Sequence, residues 1–263
     1  MRWLHAYFGA VALLVYMGAV CAQSNPTEAG LTTDRAEFTV TTDVVGDRVL
    51  QMEMGALEEI SAGSRLLHGP CPLVRIGIGN NFEVRVGGDG FLASTGRDSL
   101  NAKGMSDLSV GVKWKLANET RFIPAIALNP SISAPAGSRQ FTSSGYDPTL
   151  RLALAKRLPA GFRASGNLNA SSLTDGRRFL QRGMSLCIEH DLPARFVAYG
   201  EVYTLSALDR HGAASTMFNT GLFHGLGKRM QLDVEAGHRL SDCGPAWFAG
   251  VGFVVRFDGW REH

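Results

Sequence analysis

The run Asp107-Leu108-Ser109-Val110-Gly111-Val112-Lys113-Trp114-Lys115-Leu116 sets Leu, Val, Val, Trp and Leu at alternate positions, with Asp, Ser, Gly, Lys and Lys between them. Successive side chains of a strand point to opposite faces, so this stretch carries one apolar and one polar face. The period recurs along the chain. Phe82, Val84 and Val86 alternate with Glu83, Arg85 and Gly87, and Leu150, Leu152 and Leu154 with Arg151, Ala153 and Ala155. Met184, Leu186 and Ile188 alternate with Ser185, Cys187 and Glu189, and Met230, Leu232 and Val234 with Gln231, Asp233 and Glu235. Trp247 to Phe257 closes the series.

Short links near 79–81, 117–120, 159–161, 190–194 and 225–229 alternate with longer ones near 59–64, 88–104, 133–146, 172–180, 206–214 and 240–246. Short turn followed by long loop is the hairpin rhythm of a bacterial outer-membrane barrel. The expected fold is all-β: one antiparallel transmembrane β-barrel of about 12 strands over residues 48–257. The strands fall at roughly 48–58, 67–78, 82–88, 105–116, 121–132, 147–158, 162–172, 181–190, 195–205, 215–225, 230–239 and 246–257. A soluble sandwich or lipocalin-like barrel alternates too, but three features favour the membrane. The polar face repeatedly carries charge. Most runs extend to 10–12 residues, against about 5–6 in soluble sheets, which suits a tilted crossing. Phe82, Trp114, Phe122, Phe162, Phe196 and Trp247 stand near strand ends, where an interfacial girdle lies.

Composition narrows the function. The chain has 263 residues, of which 45% are hydrophobic, 19% charged and 31 glycine. Beyond the N-terminus no apolar run approaches the length of a membrane helix, about 20 residues. A net charge of +2 with no basic cluster gives no attraction to nucleic acid. Residues 1–22 read as a cleaved signal peptide: Arg2, the apolar core Ala6–Met17, then Val20-Cys21-Ala22 as cleavage site. Gly18-Ala19-Val20 does not match the residues that precede a lipidated cysteine. Residues 258–263 form a tail.

Residues 23–47 are polar and admit two readings, a periplasmic leader or a small lumen plug in which the segment with Asp34, Arg35, Glu37 and Asp43 pairs with the inward arginines. Those inward charges are Arg75, Arg85, Lys113, Lys115, Arg151, Arg163 and Arg256, facing Glu83, Asp107, Glu189, Glu201, Asp233 and Glu235. Either they form a salt-bridged interior that holds the barrel, or they line and constrict a solute pathway. Their near balance argues against a strongly ion-selective pore. Cys71 and Cys187 fall on polar faces, which allows a lumenal disulfide, and Cys243 completes an odd set.

No Gly-x-Ser-x-Gly, His-Glu-x-x-His, phosphate loop or dinucleotide fingerprint is present, so no catalytic residues are assigned. The cysteine spacings match no zinc motif, and no metal or cofactor is expected. His224 and His238 lie on adjacent strands, both on the lipid-facing side near a rim.

The chain resembles the meta-pathway of phenol degradation (MetA-type) family of outer-membrane proteins. The resemblance rests on Asp34-Arg35-Ala36-Glu37-Phe38-Thr39 with Thr42-Asp43, on GDRVLQMEMG (46–55) and on LVRIGIGNNFEVRV (73–86). It continues through GMSDLSVGVKWK (104–115), DPTLRLALAKRL (147–158) and PAWFAGVGFVVRF (245–257). Two departures stand out: Arg-Ala-Glu-Phe where the family reads Arg-Pro-Asp-Phe, and six residues after the final Arg-Phe. The resemblance implies an outer-membrane transporter or channel for small compounds, hydrophobic or aromatic ones included. Expected partners are outer-membrane lipids and lipopolysaccharide, the barrel assembly machinery and a small-molecule solute. Two other readings remain: a surface-interaction protein binding through loops 88–104 and 133–146, and a membrane-embedded lipid-modifying enzyme.

Overall fold

The computed structural model describes residues 31–35, 37–96 and 101–259, so the signal peptide and the tail beyond Gly259 lie outside the described residues. Fifteen strands form one antiparallel sheet: β1 (Val49–Ser61), β2 (Ser64–His68), β3 (Leu73–Ile78), β4 (Phe82–Gly87), β5 (Phe91–Gly96), β6 (Ala102–Met105), β7 (Leu108–Ala117), β8 (Ala125–Ala134), β9 (Asp147–Arg157), β10 (Phe162–Asp175), β11 (Arg177–Leu192), β12 (Phe196–Leu205), β13 (Ser215–Gly225), β14 (Met230–Arg239) and β15 (Trp247–Asp258). β1 pairs with β15 from Val49↔Asp258 to Ile60↔Trp247, which closes the sheet on itself.

Three crossings are broken in two, β2 with β3, β4 with β5, and β6 with β7, so the barrel is 12-stranded. The breaks have a chemical cause. Pro70 and Pro72 have no N–H for the ladder, and the Gly88-Asp89-Gly90 step turns through a glycine at φ +69°. Backbone bonds across the break (Gly69 N to Phe91 O, 2.8 Å; Ser106 N to Gly90 O, 2.8 Å) keep the wall continuous. Much of the stretch expected as a loop at 88–104 is therefore strand, in β5 and β6. β1–β2 and β10–β11 likewise run to tight turns, where longer loops were expected at 59–64 and 172–180. The strand expected from 121 starts at Ala125.

Burial is inside-out. On β7, Leu108, Val110, Val112, Trp114 and Leu116 are 38–45% exposed on the outer face, while Lys113 is 0% exposed on the inner face. Arg75, Gln51, Glu53, Glu83 and Glu201 are also among the most deeply buried side chains. A folded chain hides charge and exposes leucine only where the surroundings are lipid and the interior supplies partners. Among the described residues no helix is long and apolar enough to cross a membrane. Rings pair along one rim: Phe82 stacks on Trp114 at 5.3 Å, Phe162 on His190 at 4.2 Å and Phe196 on His224 at 4.2 Å. His238 tilts against Trp247 at 5.1 Å near the opposite rim.

Two turns are near-copies, Leu158-Pro-Ala-Gly-Phe162 and Leu192-Pro-Ala-Arg-Phe196. In each, a Pro-led 3-10 turn puts its alanine in the left-handed region (Ala160 φ 59°, Ala194 φ 58°) and hands the chain straight into the next strand. Cys71, Cys187 and Cys243 are all free. Cys71 sits in the β2–β3 break and donates to Asp89 O at 3.4 Å, and Cys187 is buried beside Tyr199 and Phe223, so the Cys71–Cys187 disulfide is not formed.

The outer face sets a test of membrane orientation. Val112→Arg, mid-strand on β7, should destabilise the refolded barrel in lipid vesicles by about 2–4 kcal/mol in urea titrations, whereas Val112→Leu should change little.

Candidate functional site

The described residues between 31 and 48 carry little regular structure and run among inward-facing side chains from nearly every side of the barrel. Asp34 is the principal node. Its Oδ2 accepts from Lys113 Nζ at 2.6 Å and from Arg85 Nη1, with Arg75 Nη2 at 3.8 Å. Its Oδ1 accepts both the N–H and the hydroxyl of Thr41 at 2.8 Å, which ties Thr41 back to Asp34. The Asp34 N–H donates to Glu53 Oε2 at 3.0 Å.

Arg75 spends its whole fork here. Nε and Nη2 donate to the two oxygens of Glu83, both at 2.9 Å, and Nη1 to Glu53 Oε1 at 3.0 Å. The same guanidinium donates to the carbonyls of Thr32 (2.9 Å) and Asp43 (3.0 Å). The wall thus contributes three cations (Arg75, Arg85, Lys113) and two carboxylates (Glu53, Glu83) at this point, and Asp34 supplies the third anion. Lys115 Nζ holds Asp43 Oδ1 at 2.8 Å, and Val45 N donates to Glu83 Oε2 at 2.9 Å.

Arg35 faces the opposite charge. Its guanidinium lies 3.5 Å from Asp233 and 3.7 Å from Glu235, both on β14, and donates to Val251 O at 3.2 Å. It rests on Gly55 and Gly252, directly opposed across the β1–β15 seam; a Cβ at either would overlap it. Further on, Phe38 N and Thr39 N donate to the two oxygens of Glu201 (2.7 and 3.0 Å), and Asn167 brackets Val40 by accepting its N–H at 2.7 Å and donating to its carbonyl at 3.0 Å. Phe38 stacks on Tyr203 at 4.2 Å.

The other expected charges are spread out. Arg163 pairs with Glu189 at 2.8 Å, and Glu37 lies beside Glu189, Glu201 and Cys187. Arg151 bonds Asn169 (3.1 Å) and meets no carboxylate among the described residues. Arg256 stands near the short-turn rim with Asp258. Asp107 faces no cation among the described residues. At the loop end, where β6 meets β7, it accepts the N–H groups of Gly137 and Ser143, each at 2.9 Å, and clasps the 135–146 loop. Sequence reasoning missed Gln51, Glu53, Asn167, Ser185 and Asn219; all sit at inward parity, a signal that Glu53 gave as a charge and the others give once uncharged partners are counted.

A closed barrel with an apolar outer wall and a hydrogen-bonded polar lumen defines an outer-membrane β-barrel protein. The family model described as “Putative MetA-pathway of phenol degradation” matches residues 33–257, and the chain belongs to that family. Its structure is similar to that of an outer-membrane channel from Pseudomonas putida F1, with a TM-score of 0.66 at 12% identity, covering 82% of this chain and 98% of that one. It is similar also to the NanC porin, with a TM-score of 0.51 at 11% identity, covering 78% and 98%. At such identities the likeness speaks for the fold. Among curated proteins none matches the sequence.

Asp34→Asn keeps the side chain's shape and strands three cations beside two carboxylates. Breaking a buried pair costs about 3–5 kcal/mol, so limited proteolysis should cut residues 31–48 in this variant under conditions that spare the parent chain. Asp107 gives a pH test. Its slight burial works to raise its pKa and is outweighed by hydrogen bonds from Ser143, Thr142 and Gly137, which hold it below the usual carboxylate value. A lowered native pKa means the clasp's contribution is complete above the ordinary value, about 4, and is lost as pH falls through the depressed one. The Ser143 amide resonance should titrate with a midpoint below that of a free aspartate, and Asp107→Asn should loosen the loop at neutral pH.

Proposed function

We propose that this protein is a passive outer-membrane channel for small molecules whose lumen is stoppered at rest by residues 31–47. The observation that carries the reading is the charge match between that segment and the wall: Asp34 against Arg75, Arg85 and Lys113, and the adjacent Arg35 against Asp233 and Glu235. Eight strands leave room only for side chains and sixteen leave an open aqueous channel. Twelve are wide enough to admit a strip of chain and, with that strip removed, a small solute. Opening is then a displacement of the strip, and the inward charges form the lining of the path.

In this reading residues 1–22 direct export, 48–257 form the pore, and the assembly machinery inserts it. The apolar wall contacts lipid, and the loop rim meets lipopolysaccharide. No cofactor, energy source or catalytic step is used. The family description points to hydrophobic or aromatic compounds as cargo. The strip is held by polar bonds and by the Phe38–Tyr203 stack, and each polar bond broken on release is exchanged in part for one to water, so release costs less than their number implies.

The test is single-channel conductance of the refolded mature chain in a planar bilayer, beside a deletion of residues 26–43. The parent should be silent or open rarely and the deletion should give discrete, larger steps, with heat-modifiable mobility on gels showing that both fold. Equal conductance in the two would overturn the stopper, and a deletion that folds yet never conducts would overturn the channel.

A further inference from the structure

Among the described residues, the inward cations at mid-wall are matched by carboxylates with one exception. Arg75, Arg85 and Lys113 share Asp34, Lys115 has Asp43, Arg163 has Glu189, and Arg35 has Asp233 and Glu235. Arg151, in the middle of β9, has none. Its Nε donates to Asn169 Oδ1 at 3.1 Å, and its guanidinium lies 5.7 Å from the centre of the Phe38 ring, whose stacking partner is Tyr203. Its two terminal amino groups make no hydrogen bond within the described residues, and the side chain is partly exposed to the lumen.

The wall around it is built differently from the rest of the lumen. Register places Asn129 of β8 and Asn169 of β10 directly beside Arg151, and Ser131, Thr149 and Ser171 one step toward the loop end. Thr149 and Ser171 bond each other at 2.8 Å, while the buried Asn129 Oδ1 has no partner. None of these neighbours carries charge. A guanidinium in such a place has the geometry of an anion receptor: its two Nη groups form one edge of a planar fork, whose spacing matches a carboxylate. The flanking amides and hydroxyls can take or give the remaining hydrogen bonds.

We propose that Arg151, flanked by Asn129 and Asn169, is a binding subsite in the lumen for the carboxylate of a small organic acid. The subsite deepens the channel reading and rests on it only for its purpose: it gives a permeating anion a resting point at mid-wall, beside the Phe38–Tyr203 stack. It also locates a local preference for anions in a lumen whose total charge is nearly balanced.

The experiment is titration calorimetry of benzoate into the refolded mature chain in detergent, with Arg151→Gln and Arg151→Lys, each checked for heat-modifiable folding, and conductance recorded on the same preparations. The parent should bind saturably. Arg151→Gln should weaken binding by at least about tenfold. Arg151→Lys, which keeps the charge and loses the fork, should fall between them. No saturable binding by the parent, or equal binding by Arg151→Gln, overturns the subsite whatever the conductance. Binding that depends on Arg151 in a barrel that never conducts, with or without residues 26–43, upholds the subsite and removes the channel reading.

Discussion

The Asp34 carboxylate, held among Arg75, Arg85 and Lys113, is the interaction on which the interior depends. Without residues 34 and 35 the wall of β1, β3, β4 and β7 presents three cations to two carboxylates in a confined space, and β14 presents Asp233 and Glu235 with no cation between them. Charges buried in this way need partners or water, and either fills the lumen. The sequence resolves both patches with two adjacent residues of opposite sign, Asp34 and Arg35. Neighbouring residues in an extended chain point apart, so one short segment can reach two walls.

The outer surface obeys a different constraint. Along β7 the lipid side is Leu, Val, Val, Trp and Leu, and none of these packs into a conventional core. Their stabilisation comes from the bilayer, and the apolar cluster inside the barrel is small: Cys187, Tyr199 and Phe223, with Val197 against it. Specificity therefore lies in the backbone ladder and the lumenal polar network rather than in apolar packing. Glycine opens space where main chain or guanidinium passes close, as where Gly77 lies under the backbone of Gly46.

Alternation made the fold class legible, because period two survives wherever a strand has lipid on one side and polar partners on the other. It failed at Gly88-Asp89-Gly90, whose composition reads as a loop although backbone bonds from Gly88 and to Gly90 carry the wall across the break. In the lumen, parity told which face Arg75, Glu83, Lys113 or Glu201 occupies; it could not tell their partners. That Glu201 receives the N–H groups of Phe38 and Thr39, while the chemically similar Asp107 receives those of Gly137 and Ser143, depends on height along the barrel axis. Height follows from the shear of the closed sheet, which no local pattern records. Asn167 and Gln51 were passed over because attention to charge hides amides, although a side-chain amide is the natural partner for a stretch of bare backbone.

The glycine notch under Arg35 carries an order of events. Gly55 belongs to the first strand and Gly252 to the last, and they face each other only once β1 has zipped to β15. Before that pairing there is no slot of the right depth, and Val251, whose carbonyl receives the guanidinium, is not yet beside it. The N-terminal segment emerges first from synthesis yet finds its seat last. A seated Arg35 is consequently a receipt for a completed seam, and a barrel left open between its ends keeps its own N-terminus unlatched.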